Sequence, residues 1–113
     1  MHVVTRKHLA QAEEDYPESA REIRAWYKIA CLARWQNFFE VRQVFKDVDD
    51  VDGYVIFNIR HNRYRLLTII HYARSKEARV TAGHIYIRAF LTHREYDNRA
   101  NWDKGSNDEH NAC

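Results

Sequence analysis

The sequence is short of the residues that interrupt or staple a chain. It has one proline and three glycines in 113 residues, so low-complexity disorder is excluded across most of it. Three scattered glycines cannot build a phosphate-cradling loop, which sets aside nucleoside-triphosphate and dinucleotide chemistry. No Gly-x-Ser-x-Gly occurs, so a serine nucleophile elbow is absent. The two cysteines, Cys31 and Cys113, form no Cys-x-x-Cys pair. Two reduced thiols are expected, one inside a helix and one in the tail. No apolar run approaches the ~18 residues of a membrane span. The opening "MHVVTRKHLAQAEEDYP" lacks the apolar stretch of a secretory signal. A cytoplasmic chain without a membrane partner is the expectation. Seven histidines are present, but none forms His-x-His or His-Glu-x-x-His, so no metal site and no cofactor is expected.

What the chain does have is uneven charge. Residues 1–59 carry 8 basic and 10 acidic side chains, residues 60–99 carry 9 and 3, and residues 100–113 carry 1 and 3. The net charge of +2 therefore hides one basic region. Such a face commonly meets a phosphate backbone, and it also serves to guard a solvated sheet edge.

The length suits one domain with one modest core. "HVVT" reads as a short strand. Thr5 is placed to cap a helix over residues 6–16, which Pro17 ends. Ser19 and Glu22 have the spacing of a capping box for a second helix. Its inward stripe is Ala20, Ile23, Tyr27, Ala30 and Cys31, flanked by Trp26 and Ala33. Asn37 and Glu40 repeat the spacing for a third, short helix. "KDVDDVDG" breaks it. After Gly53 the period changes to that of strands: "YVIFNI", "YRLLTIIHYA" and "HIYIRAFLTH". "RHN" suits a tight turn with Asn62 in a left-handed conformation, and "RSKEARVTAG" is a longer, charged link. These elements predict an α+β fold. Its N-terminal helices pack on one face of a mainly antiparallel sheet of about four strands, and the other face is left open. Residues 1–104 form the single domain, and 105–113 form a polar, disordered tail.

Alternation in the last strand predicts Ile85, Ile87, Ala89 and Leu91 on the core side, with His84, Tyr86, Arg88, Phe90 and Thr92 on the open side. Arg88 between aromatics, joined by Arg60, Arg63 and Arg65, can hold a nucleic-acid backbone while a ring such as Tyr86 stacks on a base. An arginine covering apolar surface with its stem is the alternative. Past the strand end, His93 suits proton transfer near neutral pH. Tyr96 can donate a hydrogen bond or stack, and arginine can stabilise charge on a phosphate. These are the parts needed for an RNA 2′-hydroxyl to attack its own phosphodiester. A purely structural terminus, with Asp97 capping and Tyr96 packed on the core, uses the same residues. Strict alternation puts His93 opposite Arg88, so the chain must twist or leave the strand near Thr92.

The segments "VIFNIRHNRYRL" and "YIRAFLTHREYD", preceded by "IRAWYK", resemble the HigB family of type II toxins, which is similar in fold to the wider RelE-like superfamily. The resemblance runs from residue 1 to about Lys104. It implies an mRNA endoribonuclease acting on translating ribosomes, held by a HigA-like antitoxin with a helix-turn-helix domain; with no metal-ligand set in the sequence, the activity is expected to be metal-independent. By motif position, Asn58, Asn62, Arg65 and Arg88 fall on the family's strand residues, and Thr92, His93, Tyr96 and Asp97 on its terminal motif. Arg65, Arg88, His93 and Tyr96 are the expected catalytic residues. Asn58, Arg60, Asn62, Arg63 and Tyr86 are the expected RNA contacts. The "RSKEARVTAG" link is longer than the family's usual connection, which bears on the shape of the cleft rim. The competing function is a non-catalytic RNA- or ribosome-binding module of the same fold.

Overall fold

In a computed structural model of the chain, residues 1–76 and 79–102 are described. The tail proposed for 105–113, Cys113 and the domain boundary at 104 lie outside the described residues. The elements run β1 (His2–Val4), α1 (Lys7–Asp15), α2 (Ala20–Leu32), α3 (Phe38–Val44), β2 (Asp49–Val51), β3 (Tyr54–Ile59), β4 (Tyr64–His71), β5 (Arg74–Lys76), β6 (Arg79–Thr81), β7 (His84–Thr92) and the one-turn helix α4 (His93–Tyr96). The main sheet has the order β1-β7-β4-β3-β2. Only β1 against β7 is parallel. The sheet therefore has five strands rather than about four, because the acidic run expected to be a breaker supplies the edge strand β2. The long charged link carries its own two-stranded ladder, β5 with β6.

Burial drives the helices onto one face of this sheet. Leu9 and Ala12 of α1, Ile23, Trp26 and Ala30 of α2 and Val41 of α3 join Val3, Val55, Phe57, Leu66, Ile85 and Ile87 in one core cluster. Trp26 meets Phe57 edge-on with ring centroids 5.2 Å apart, a favoured geometry for aromatic pairs. In α2 it is Trp26 that is fully buried, while Tyr27 and Cys31 are half-buried. Cys31 is not a free thiol, which corrects the expectation of two reduced cysteines at that position.

Two of the three predicted caps are wrong for identifiable reasons. Thr5 has a φ of 68° and is buried, and α1 starts one residue later, with Arg6 at the cap position. Pro17–Ser19 form a 3-10 turn leading into α2, and the Ser19 side chain makes no capping bond. Glu22 instead accepts a hydrogen bond from the Arg60 amide at 2.8 Å, tying α2 to the β3–β4 hairpin. Asn37 does cap α3, its Oδ1 accepting from the Glu40 amide at 3.0 Å. In that hairpin, Arg60 and His61 take the left-handed conformation, with φ of 54° and 59°, not Asn62.

The feature that matters most for function is a register shift. Thr68 pairs with Ile87, but the preceding Leu67 pairs with Ala89. Arg88 is thus the extra residue of a β-bulge, and beyond it β7 changes which side its residues present. Ala89 and Leu91 join Ile56, Leu67 and Trp102 in a second apolar cluster on the far face. Phe90 turns to the helix side, 5.4 Å from the Tyr64 ring and 5.9 Å from that of Tyr16. The single alternation predicted for residues 84–92 is corrected accordingly; the chain leaves the strand at Thr92, as expected, and the bulge at Arg88 is an additional break in the alternation.

Candidate active site

The bulge and a helix cap together set the direction of the terminal motif. Thr92 ends β7 and caps α4. Its Oγ1 accepts from the Glu95 amide at 3.1 Å, and its own amide donates to Glu95 Oε1 at 3.0 Å. This reciprocal pair is a capping box, legible in Thr92-x-x-Glu95. The His93 amide donates to the Arg63 carbonyl at 2.9 Å, which pins the start of α4 to the hairpin. Strand, hairpin and cap therefore place His93 above the sheet rim.

Arg65 is the centre of the arrangement. It lies on β4 opposite Asn58 on β3 and Leu91 on β7. Its Nη1 donates to the Asn62 carbonyl at 2.6 Å, and its Nη2 lies 3.1 Å from His93 Nδ1. Its guanidinium carbon sits 5.3 Å from the centroid of the Tyr96 ring. Guanidinium only donates, so the contact with His93 assigns Nδ1 as acceptor and leaves the ring proton on Nε2.

Behind Tyr96 the stack continues. The Trp102 ring is 4.8 Å away with an interplanar angle of 21°, and its Nε1 donates to the Tyr96 carbonyl at 2.9 Å. Arg99 lies 4.2 Å from the Trp102 ring and pairs with Asp52 at 2.9 Å. Tyr54 meets Trp102 edge-on at 5.2 Å. Four layers result: Arg99, Trp102, Tyr96, Arg65. Burial, then the nearby Asp49 charge, raises the Tyr96 phenol above its usual pKa. A phenol is protonated at neutral pH with or without that shift, so the hydroxyl is able to donate.

The expected residues divide clearly. Arg65, His93 and Tyr96 come together, with Asn58 beside Arg65, its Nδ2 donating to the Asp47 carbonyl at 3.3 Å. Arg88 does not join them. It sits at the bulge, three residues back from Leu91, the partner of Arg65. There its guanidinium lies 5.8 Å from the Tyr86 ring, and its charge acts on His8 of α1. Asn62 and Arg63 meet the cluster through backbone carbonyls. Arg60 and Arg63 act electrostatically toward the helix side. There the Tyr64 hydroxyl bond, the local backbone and these two charges hold the Glu18 carboxyl below its usual pKa. Tyr86 lies at the other end of the sheet. The sequence reading missed Trp102 and Arg99. A tryptophan three residues after an arginine was the available signal for a ring–cation contact.

Comparison with known proteins identifies the family. The model of the HigB toxin family, described as the RelE-like toxic component of a toxin-antitoxin system, matches residues 19–99. The mRNA interferase toxin HigB of Escherichia coli strain K12 is 28% identical over 100 residues, covering 86% of this chain and 88% of that protein. The mRNA interferases HigB of Escherichia coli O157:H7 and of Shigella flexneri align with the same identity and coverage. Arg65, His93 and Tyr96 fall inside the matched span, and Trp102 just beyond it.

Proposed function

The chain belongs to the HigB family of RelE-like toxins, and from that premise we propose that it is an mRNA endoribonuclease whose cleavage centre is the cluster of Arg65, His93 and Tyr96. The observation that carries this reading is the contact of Arg65 Nη2 with His93 Nδ1 at 3.1 Å. It joins a phosphate-binding cation to the only group of the motif suited to proton transfer near neutral pH. A bound scissile phosphate competes for that same N–H. Once the phosphate takes it, the Nδ1 lone pair is released and can accept the proton of the 2′-hydroxyl. The 2′-oxygen bonds to phosphorus, and the bond from phosphorus to the 5′-oxygen breaks. The protonated Tyr96 hydroxyl gives its proton to the departing 5′-oxygen. Arg65 meets the charge that builds on the phosphate oxygens. The products are a 2′,3′-cyclic phosphate and a 5′-hydroxyl, and the step uses only groups of this chain.

Substrate binding then falls to Asn58 beside Arg65 and to the hairpin residues Arg60, Asn62 and Arg63, of which Asn62 and Arg63 are exposed. An antitoxin partner of the HigA-like, helix-turn-helix type holds the toxin inactive, and translating ribosomes in the cytoplasm present the message. No described helix is long and apolar enough to cross a membrane. Residues 1–104 act as one toxin domain.

The test is induced expression with primer extension on cellular mRNA, comparing parent, His93→Gln and Arg65→Lys. The parent should arrest growth and produce discrete new 5′ ends. His93→Gln should lose about 10²–10⁴-fold in cleavage rate with binding retained. Arg65→Lys keeps the charge but loses the fork that joins phosphate to histidine, so it should also fall. Growth arrest without new 5′ ends, equal in parent and His93→Gln, would assign the chain instead to a binding module that blocks translation without cutting.

A further inference from the structure

The end of the open sheet face remote from Arg65 carries a row of histidines that the cleavage centre does not use. His2 on β1, His84 on β7 and His71 on β4 are register partners across three neighbouring strands. Directly paired positions share a face, so the three imidazoles lie side by side. The His2 and His84 rings are 5.2 Å apart at an interplanar angle of 27°. Tyr86 adds a fourth ring, 5.9 Å from His84 at 17° and 5.0 Å from His71 at 66°. His71 and Arg65 share β4 and differ by an even number of residues, so both point to the same face, roughly 20 Å apart at the rise of a strand.

We infer that His2, His84 and His71 form a second RNA contact, a proton-coupled phosphate subsite that holds the strand a few nucleotides from the cut; this rests on the RNA-cleaving function proposed above. Three groups that gain positive charge on adjacent strands repel one another. Among the described residues, the groups whose charge acts on His84 are His2, His71 and the Met1 amine, none of which is acidic. Burial first, and those neighbours next, depress the tendency of His84 to take a proton. An anion laid across the row removes that penalty, so binding a phosphate draws protons onto it. A backbone already held at Arg65 continues over this face, and Tyr86 offers a flat ring for a base. The rings stack rather than converge, and among the described residues no group of three could hold a metal ion, which favours an anion over a cation here.

The experiment measures binding of a 2′-O-methyl RNA oligonucleotide, which cannot be cut, by fluorescence anisotropy from pH 8 to pH 6, with and without a chelator. The parent should tighten by about tenfold per pH unit for each proton taken up. The His71→Gln/His84→Gln variant, checked for folding by circular dichroism, should lose most of that gain. It keeps the other five histidines, so the difference reports His71 and His84. An oligonucleotide too short to cross the sheet should show no difference between the two proteins. Equal pH profiles for parent and variant on the long RNA would overturn the inference. So would a parental gain that disappears in chelator, which would make the row a metal site. Cleavage of unmodified RNA by the parent is scored separately. If the parent neither cuts nor binds RNA, the proposed function falls first. If it does both and the variant matches it at every pH, only the histidine subsite is lost.

Discussion

Replacing Trp102 tests whether the four-layer stack positions the candidate catalytic groups. The side chain is 9% exposed and belongs to the second apolar cluster. Trp102→Leu removes the ring contact with Tyr96, worth about 0.5–1.5 kcal/mol beyond burial. It removes the Arg99 cation–ring contact, about 0.5–1 kcal/mol at an exposed site. It also removes the Nε1 hydrogen bond to the Tyr96 carbonyl, about 1 kcal/mol. Leucine refills part of the space, so a net loss of about 2–3 kcal/mol is expected. Trp102→Phe keeps a ring and should lose about half as much. Urea denaturation reads this as a lower midpoint at unchanged slope. Single-turnover cleavage, measured where each variant is fully folded, reads the positioning. A reacting group displaced by about 1 Å costs on the order of 10²-fold. Trp102→Leu should approach that loss, and Trp102→Phe should lie between it and the parent. A leucine variant that is destabilised yet cleaves at the parental rate would show that the stack holds the fold and does nothing for the site.

Further outcomes follow from other positions. Arg88→Ala should reduce cleavage far less than Arg65→Ala, because Arg88 stands at the bulge beside Tyr86 and away from His93; equal losses in single-turnover assays would contradict this placement. Gly83→Ala should cost at least about 1–3 kcal/mol in urea denaturation, since a Cβ there would come within 2.6 Å of the His71 carbonyl and of Met1 Cε at a φ of +83°. Acid should destabilise the fold through His8, whose pKa is lowered by burial, then by Lys7 and Arg88. The unfolded chain takes the proton first, so stability is full above about pH 6.5 and falls as pH drops from there toward the lower folded pKa. His8→Gln should flatten thermal stability between pH 7 and pH 5, and an unchanged slope would remove His8 from the account.

Local pattern was enough to find most of the fold. The switch from helical spacing to strand alternation near Gly53 follows from side-chain periodicity, which tertiary packing does not alter, and it placed β3, β4 and β7 closely. Asn37 and Glu40 were read correctly because a cap is satisfied by its own neighbours. Ser19 and Glu22 have the same spacing, but burial of Ser19 and the demand of the Arg60 amide for an acceptor redirected Glu22 across the molecule. The bulge at Arg88 was not legible, since nothing in "YIRAF" distinguishes an extra residue from a paired one until β4 lies beside it. That one residue separates Arg88 from the cluster and turns Leu91 to the face of Arg65. Charge and chemistry were visible in the sequence as a list of arginines, histidines and tyrosines. Which of them meet was decided by register, because a strand neighbour is chosen by pairing across the sheet and not by distance along the chain.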